Sequence, residues 1–186
     1  MNPIPRTRRI WYPDAVYHVT TRGNRREPLF YSHQDYHHYL KILSHCIPKY
    51  SVKLFSYCLM PNHTHLQIQC CQSPPGDFMK ELSETYAMYF NKKYELTGHV
   101  FQGRYGAELI EDRSYLLDTS RYIHMNPVTA DLVMYPLEYP WSSYRYYASQ
   151  SVCSFLDTSF ILEQFQNSKS LYRDYVESRI TPVVEQ

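Results

Sequence analysis

Residues 15–21 alternate, with Val16, His18 and Thr20 on one side and Tyr17, Val19 and Thr21 on the other, which predicts a β-strand. Gly23-Asn24 interrupts it. Ser32, followed three residues later by Asp35, has the form of a capping box. Tyr36, Tyr39, Leu40, Leu43 and Ile47 then recur at helical spacing until Pro48, where the helix is expected to end. Residues 51–60 are rich in strand formers, Pro61-Asn62 is a break, and residues 63–71 alternate again. Beyond the loop Pro74-Pro75-Gly76, the spacing of Phe78, Met79, Leu82, Tyr86, Tyr89 and Phe90 predicts a second helix that stops before Gly98. Residues 100–111 are expected to form a fourth strand, made irregular by Gly103 and Gly106.

The order strand, helix, strand, strand, helix, strand is that of an α+β, ferredoxin-like βαββαβ fold, an antiparallel sheet with its helices on one face. A third helix is expected over residues 114–125, capped by Asp112 and stopped by Pro127. A Pro/Tyr-rich stretch, 135–147, follows it. The remaining residues, 148–186, read as a polar, partly helical tail behind a main domain of residues 1–147. Leu171, Tyr175, Ile161 and Phe165 mark short helices within that tail.

Composition narrows the function classes. With 186 residues the chain buries roughly 70% of its unfolded surface, enough for a core without disulfides or structural metal. Hydrophobic residues at 44% and charged residues at 20% exclude disorder and collagen-like repeats. No apolar run approaches the roughly 20 residues of a membrane helix, and the first residues lack an apolar secretory core. The 5 cysteines lack metal or disulfide spacing, and the expectation is a cytoplasmic protein with reduced thiols. Lys+Arg 19 against Asp+Glu 18 excludes a generic polycation, so any nucleic-acid contact rests on local patches. One such patch is the front of the chain, where Arg6, Arg8, Arg9, Arg22, Arg25 and Arg26 face only Asp14. It reads either as a phosphate-contacting arm or as a solvated basic terminus. The 20 tyrosines can pack, stack on bases or act as nucleophiles.

Two short segments carry candidate chemistry. In Pro61-Asn62-His63-Thr64-His65-Leu66, the period-2 rule places His63 and His65 on one face of a strand, about 7 Å apart. That spacing suits two ligands of one metal, although alternating polar residues on a half-exposed strand also produce it. In Arg121-Tyr122-Ile123-His124-Met125-Asn126-Pro127, Tyr122 and Asn126 lie one turn apart on a helix face. They read either as a packed tyrosine and a terminal Asn or as a nucleophile and a ligand. Tyr115, seven residues earlier on the same face, is the rival nucleophile. Two imidazoles and an amide oxygen form a mixed donor set suited to Mg²⁺ or Mn²⁺. A phenol beside such a cation can attack phosphorus and hold the product covalently in a link that is readily reversed.

These segments resemble the single-tyrosine HUH transposases (IS200-like) and, among them, the REP-associated tyrosine transposases. The resemblance is carried by five blocks. They are Tyr17-His18-Val19-Thr20-Thr21-Arg22-Gly23-Asn24-Arg25, Leu59-Met60-Pro61-Asn62-His63-Thr64-His65-Leu66, Gly98-His99-Val100-Phe101-Gln102-Gly103-Arg104-Tyr105, Arg121-Tyr122-Ile123-His124-Met125-Asn126-Pro127-Val128 and Pro140-Trp141-Ser142-Ser143-Tyr144. They stand in the family's order over residues 6–147. Thr64 departs from the family's large apolar residue between the histidines and is expected to face the core.

The resemblance implies a transposase that cleaves and rejoins single-stranded, hairpin-flanked DNA. His63 and His65 would hold the metal with Asn126 as third ligand, and Tyr122 would form a 5′-phosphotyrosine. Arg6, Arg8, Arg9, Arg22, Arg25, Arg26, Gln102 and Arg104 would contact DNA, and the protein would act as a monomer or homodimer. The alternatives are a hairpin-binding protein that does not cut, and a zinc hydrolase using His63 and His65.

Overall fold

The computed structural model describes residues 10–178 and 180. Its core is a four-stranded antiparallel sheet built from β1 (Ala15–Arg22), β2 (Val52–Met60), β3 (His63–Cys70) and β4 (Gly106–Ile110), in the order β2-β3-β1-β4. Helices α1 (His33–Lys49) and α2 (Gly76–Tyr94) complete the βαββαβ order expected from the sequence.

Strand parity decides which residues meet which layer. Tyr17, Val19, Leu54, Leu66 and Ile68 form one buried cluster with Tyr39, Leu43, Phe78, Leu82 and Tyr86, so α1 and α2 cover that face. The helices are tied to each other by a carboxylate. Asp35, fully buried, accepts from the backbone N–H of Ser32 at 2.7 Å, closing the expected capping box, and from Lys93, Tyr94 and Tyr89 of α2. These donors outweigh its burial and hold its pKa well below the usual carboxylate range.

The opposite face receives α3 (Arg113–Thr129), which starts on Asp112 as expected, its Oδ1 accepting from Tyr115 N at 2.8 Å. The sequence placed the helix end at residue 125, yet the helix runs one turn further, through Pro127. Proline forfeits only its own backbone hydrogen bond there, and Asn126 O still accepts from Ala130 N at 3.0 Å. Behind α3 stand α4 (Tyr144–Ala148), α5 (Ser159–Leu162) and α6 (Lys169–Glu177). Tyr144, Tyr147, Ile161, Tyr172 and Val176 form a second buried cluster with Phe55, Ile110 and Leu116. The C-terminal segment is thus packed, and within α6 it is Tyr172 and Val176 that are buried, while Leu171 is exposed.

The fourth strand corrects the sequence reading. Instead of residues 100–111 it comprises only Gly106–Ile110. Gly98 and Gly103 take left-handed torsions (φ 95° and 67°) that a strand does not admit, and only the isolated Gly23–Phe101 bridge pairs the stretch between them. Where pairing resumes, a Cβ at Gly106 would stand 2.6 Å from Thr20 Oγ1, so any larger residue requires that side chain or the strand to shift. The other sheet edge, β2, is sealed by residues 141–143. Leu59 N donates to Trp141 O, Ser143 N donates to Tyr57 O, and Ser143 Oγ accepts from Tyr57 N.

Candidate active site

On the face covered by α3, β3 presents His63, His65 and Gln67, while β1 presents His18, Thr20 and Arg22. Thr64 points the other way and is fully buried, its Oγ1 2.7 Å from Thr21 Oγ1. The hydroxyl partner explains how a polar residue is tolerated inward at this position. α3 leaves part of this sheet face open as a cleft of about 1010 Å³. The cleft is lined by His18, Arg22, His63, His65, Gln102, Arg104, Glu108, Tyr115, Arg121 and Tyr122 among others.

Four of the expected site residues converge here. The Tyr122 ring is half exposed and stands edge-on to His65, with centroids 5.4 Å apart. The rings of His63 and His65 lie 4.9 Å apart, nearly perpendicular. Asn126, one turn after Tyr122 and buried, neighbours the His63 side chain. Arg22, Gln102 and Arg104 reach the rim of the same cleft, and Gln102 N donates to Arg22 O at 2.8 Å. Arg25 and Arg26 are exposed in a turn with left-handed torsions outside the cleft lining. Arg6, Arg8 and Arg9 lie outside the described residues.

The histidines are held neutral. Burial pushes the His65 pKa down to about 3, with further lowering from His18, His63 and the Arg22 cation. Burial also lowers His63, against an opposing influence of the neighbouring Asn126. Neutral imidazole is the form that binds metal. His63 is oriented as well as neutral. Asn62 donates its Nδ2 to Arg26 O (3.2 Å), which turns its Oδ1 toward His63 Nδ1 at 2.7 Å. An amide oxygen only accepts, so the proton sits on His63 Nδ1 and Nε2 is bare. His65 Nε2 is buried with no hydrogen-bond partner. An orphaned imidazole nitrogen beside a second bare one, with a carboxamide next to them, fits a divalent cation. Among the described residues no group of three His, Cys, Asp or Glu is arranged to hold an ion.

The rival Tyr115 is placed differently. Its hydroxyl donates to Glu108 Oε2 at 2.9 Å, and burial and that carboxylate both raise its pKa. His124 points away from the cleft, as its angular position on the helix requires, and is fully buried between Tyr172 and Ser143. In the Pro/Tyr-rich stretch Tyr139, Trp141, Tyr144 and Tyr147 are buried, and Tyr146 is half-buried. His99 does not line the cleft. Sequence reasoning missed His18, whose Nε2 lies 2.9 Å from His65 Nδ1, and Arg121, which lines the cleft while stacking on Tyr175. The signal for His18 was its parity with Thr20 and Arg22, legible only once β1 is known to lie beside β3.

With this geometry in hand, the chain can be set beside known proteins. Residues 12–126 match the family model described as IS200-like transposase. The chain belongs to the IS200-like transposase family. No curated protein matches it in sequence. Among solved structures it is similar to a REP-associated tyrosine transposase bound to a REP hairpin, at 14% identity and a TM-score of 0.67, covering 83% of this chain and 98% of that one. A transposase structure from Deinococcus radiodurans R1 is related at 16% identity and a TM-score of 0.46, covering 59% of this chain and 89% of the other. The first likeness establishes the fold as that of a tyrosine transposase; the second is too remote in shape to carry an argument. As a member of this family the protein is a transposase.

Proposed function

We propose that this transposase cleaves and rejoins single-stranded DNA bearing a hairpin, with Tyr122 as nucleophile. The observation that carries the reading is the placement of the Tyr122 phenol against the His65 ring, inside a cleft whose rim holds Arg22 and Arg104. Tyr122 Oη attacks the phosphorus. An Oη–P bond forms, the P–O3′ bond breaks, and the 3′-oxygen leaves with a proton taken from water as the phenol proton is released to solvent. The products are a 5′-phosphotyrosine and a free 3′-hydroxyl. Because the phosphodiester energy is retained in the adduct, attack by another 3′-hydroxyl reseals a strand without ATP.

His63, His65 and Asn126 would hold Mg²⁺ or Mn²⁺, whose chemistry when bound is to draw charge from the scissile phosphate. Asn62 fixes the His63 ring through its Nδ1. Arg22, Arg104 and Gln102 line the path along which a strand would run, the arginines toward phosphate and the glutamine toward a base edge. That the partner is hairpin DNA is supported by the likeness to the hairpin-bound transposase.

The test is incubation with end-labelled single strands carrying a hairpin and Mg²⁺ or Mn²⁺. An SDS-stable adduct carrying the 3′-labelled fragment is expected, with the 5′-labelled fragment released bearing a 3′-hydroxyl; the adduct should be absent in Tyr122→Phe and suppressed by EDTA. No adduct on any hairpin substrate, with binding intact, would leave a protein that marks hairpins without cutting them.

A further inference from the structure

We propose that His18 is a positioning residue, its ring bridging Glu108 and His65 and fixing His65 in the tautomer whose Nε2 is bare. This rests on the reading of His63 and His65 as the metal pair. His18 sits on β1 directly opposite Glu108 of β4, with its side chain only 11% exposed. Its Nε2 lies 2.9 Å from His65 Nδ1, the two rings stack at 5.1 Å, and its Nδ1 lies 3.9 Å from Glu108 Oε2. Between two neutral imidazoles that close, one nitrogen donates and the other accepts.

The surroundings choose the direction. If His18 Nε2 carried the proton, its Nδ1 lone pair would face a carboxylate. His65 would then hold its proton on Nε2, a buried N–H with no acceptor. In the opposite arrangement His65 Nδ1–H donates to His18 Nε2, His18 Nδ1–H faces Glu108, and His65 Nε2 is left as a lone pair. Only this second arrangement leaves no buried N–H without an acceptor. His63 reaches the same state through Asn62, so each histidine of the pair has its own partner that sets its bare nitrogen. His18 is placed as a partner of His65 and not as a third ligand, because its Nε2 is engaged by His65 Nδ1.

The test uses the full chain labelled with ¹⁵N-histidine. Without metal, the His65 ring is expected to show a protonated Nδ1, and His18→Ala is expected to mix its tautomers. Mn²⁺ titration by calorimetry is expected to weaken about tenfold in His18→Ala. It should recover in His18→Gln, whose amide oxygen also accepts from His65 Nδ1. Glu108→Ala, at a side chain 71% exposed and so harmless to folding, is expected to mix the same tautomers. Unchanged His65 tautomers in both His18→Ala and Glu108→Ala overturn the proposal. So does a loss of one imidazole coupling from the Mn²⁺ electron spin-echo spectrum of His18→Ala, which would make His18 a ligand. Failure of the unaltered protein to bind Mn²⁺ sinks the metal pair instead, and the tautomer readout in metal-free protein still decides the role of His18.

Discussion

The phenol of Tyr122 and the imidazole of His65 meet at right angles, ring centroids 5.4 Å apart, within one chain. The contact joins a helix to a strand 57 positions earlier in the sequence. It also separates the two tyrosines on this face of α3, since Tyr115 spends its hydroxyl on Glu108.

Exchange of each tyrosine for phenylalanine is therefore expected to divide cleanly. Tyr122→Phe should reduce adduct formation by at least about 1,000-fold, the scale of losing a nucleophile. Because the ring is half exposed and keeps its packing, thermal stability should be unchanged. Tyr115→Phe should retain the adduct. Gel quantification of the SDS-stable species together with a melt of each variant checks both.

Acid should destabilise the protein through His124. Its pKa is pushed down to about 3 by burial, below the 6.5 of an exposed histidine. The unfolded chain thus binds more protons between those values, and stability falls as pH drops from about 6.5 toward 3. This one histidine contributes up to about 1.4 kcal/mol per pH unit. Its contacts are also directional. Ser143 Oγ donates to Tyr57 O, so it accepts from His124 Nε2–H, and His124 Nδ1 accepts from the Tyr172 hydroxyl. Tyr172→Phe should cost about 2 kcal/mol, and His124→Gln should flatten the acid slope; urea unfolding at several pH values measures both.

Gly106→Ala is expected to lower stability by about 1–2 kcal/mol, since the new methyl meets Thr20 Oγ1 at 2.6 Å. Adding Thr20→Ala removes the clashing oxygen. A double-mutant cycle should then show a favourable coupling, and additivity would mean that β4 simply shifts.

If Arg22 and Arg104 each neutralise a phosphate of a single strand, replacing either by Gln should weaken binding uniformly across sequences. Each replacement should lower the slope of log K against log salt by about 0.7. Gln102→Ala should leave that slope unchanged. Fluorescence anisotropy at four salt concentrations distinguishes them.

The readable parts of this molecule were those governed by a single local period. Alternation at His63–Leu66 gave the shared face of the histidines and the inward Thr64, and the one-turn spacing of Tyr122 and Asn126 gave their common direction. What escaped depended on neighbours distant in sequence. His18 alternates like any strand residue, and only the β1–β3 register brings it to His65. The glycines at 98 and 103 were visible, but that they reduce pairing to the single Gly23–Phe101 bridge follows from their left-handed torsions. In α6 both Leu171–Tyr175 and Tyr172–Val176 fit helical spacing, and the hydroxyl of Tyr172 decided between them by reaching Ser120 and His124.

One polypeptide carries a single phenol set against the imidazoles, that of Tyr122, together with both imidazoles and the carboxamide. A set assembled in cis leaves nothing for a second copy to complete, so on the proposed chemistry cutting should scale with the first power of protein concentration. It also caps capacity at a single captured 5′ end. Excising a segment, which has two boundaries, would then require either two copies acting side by side or one tyrosine that is discharged before it cuts again.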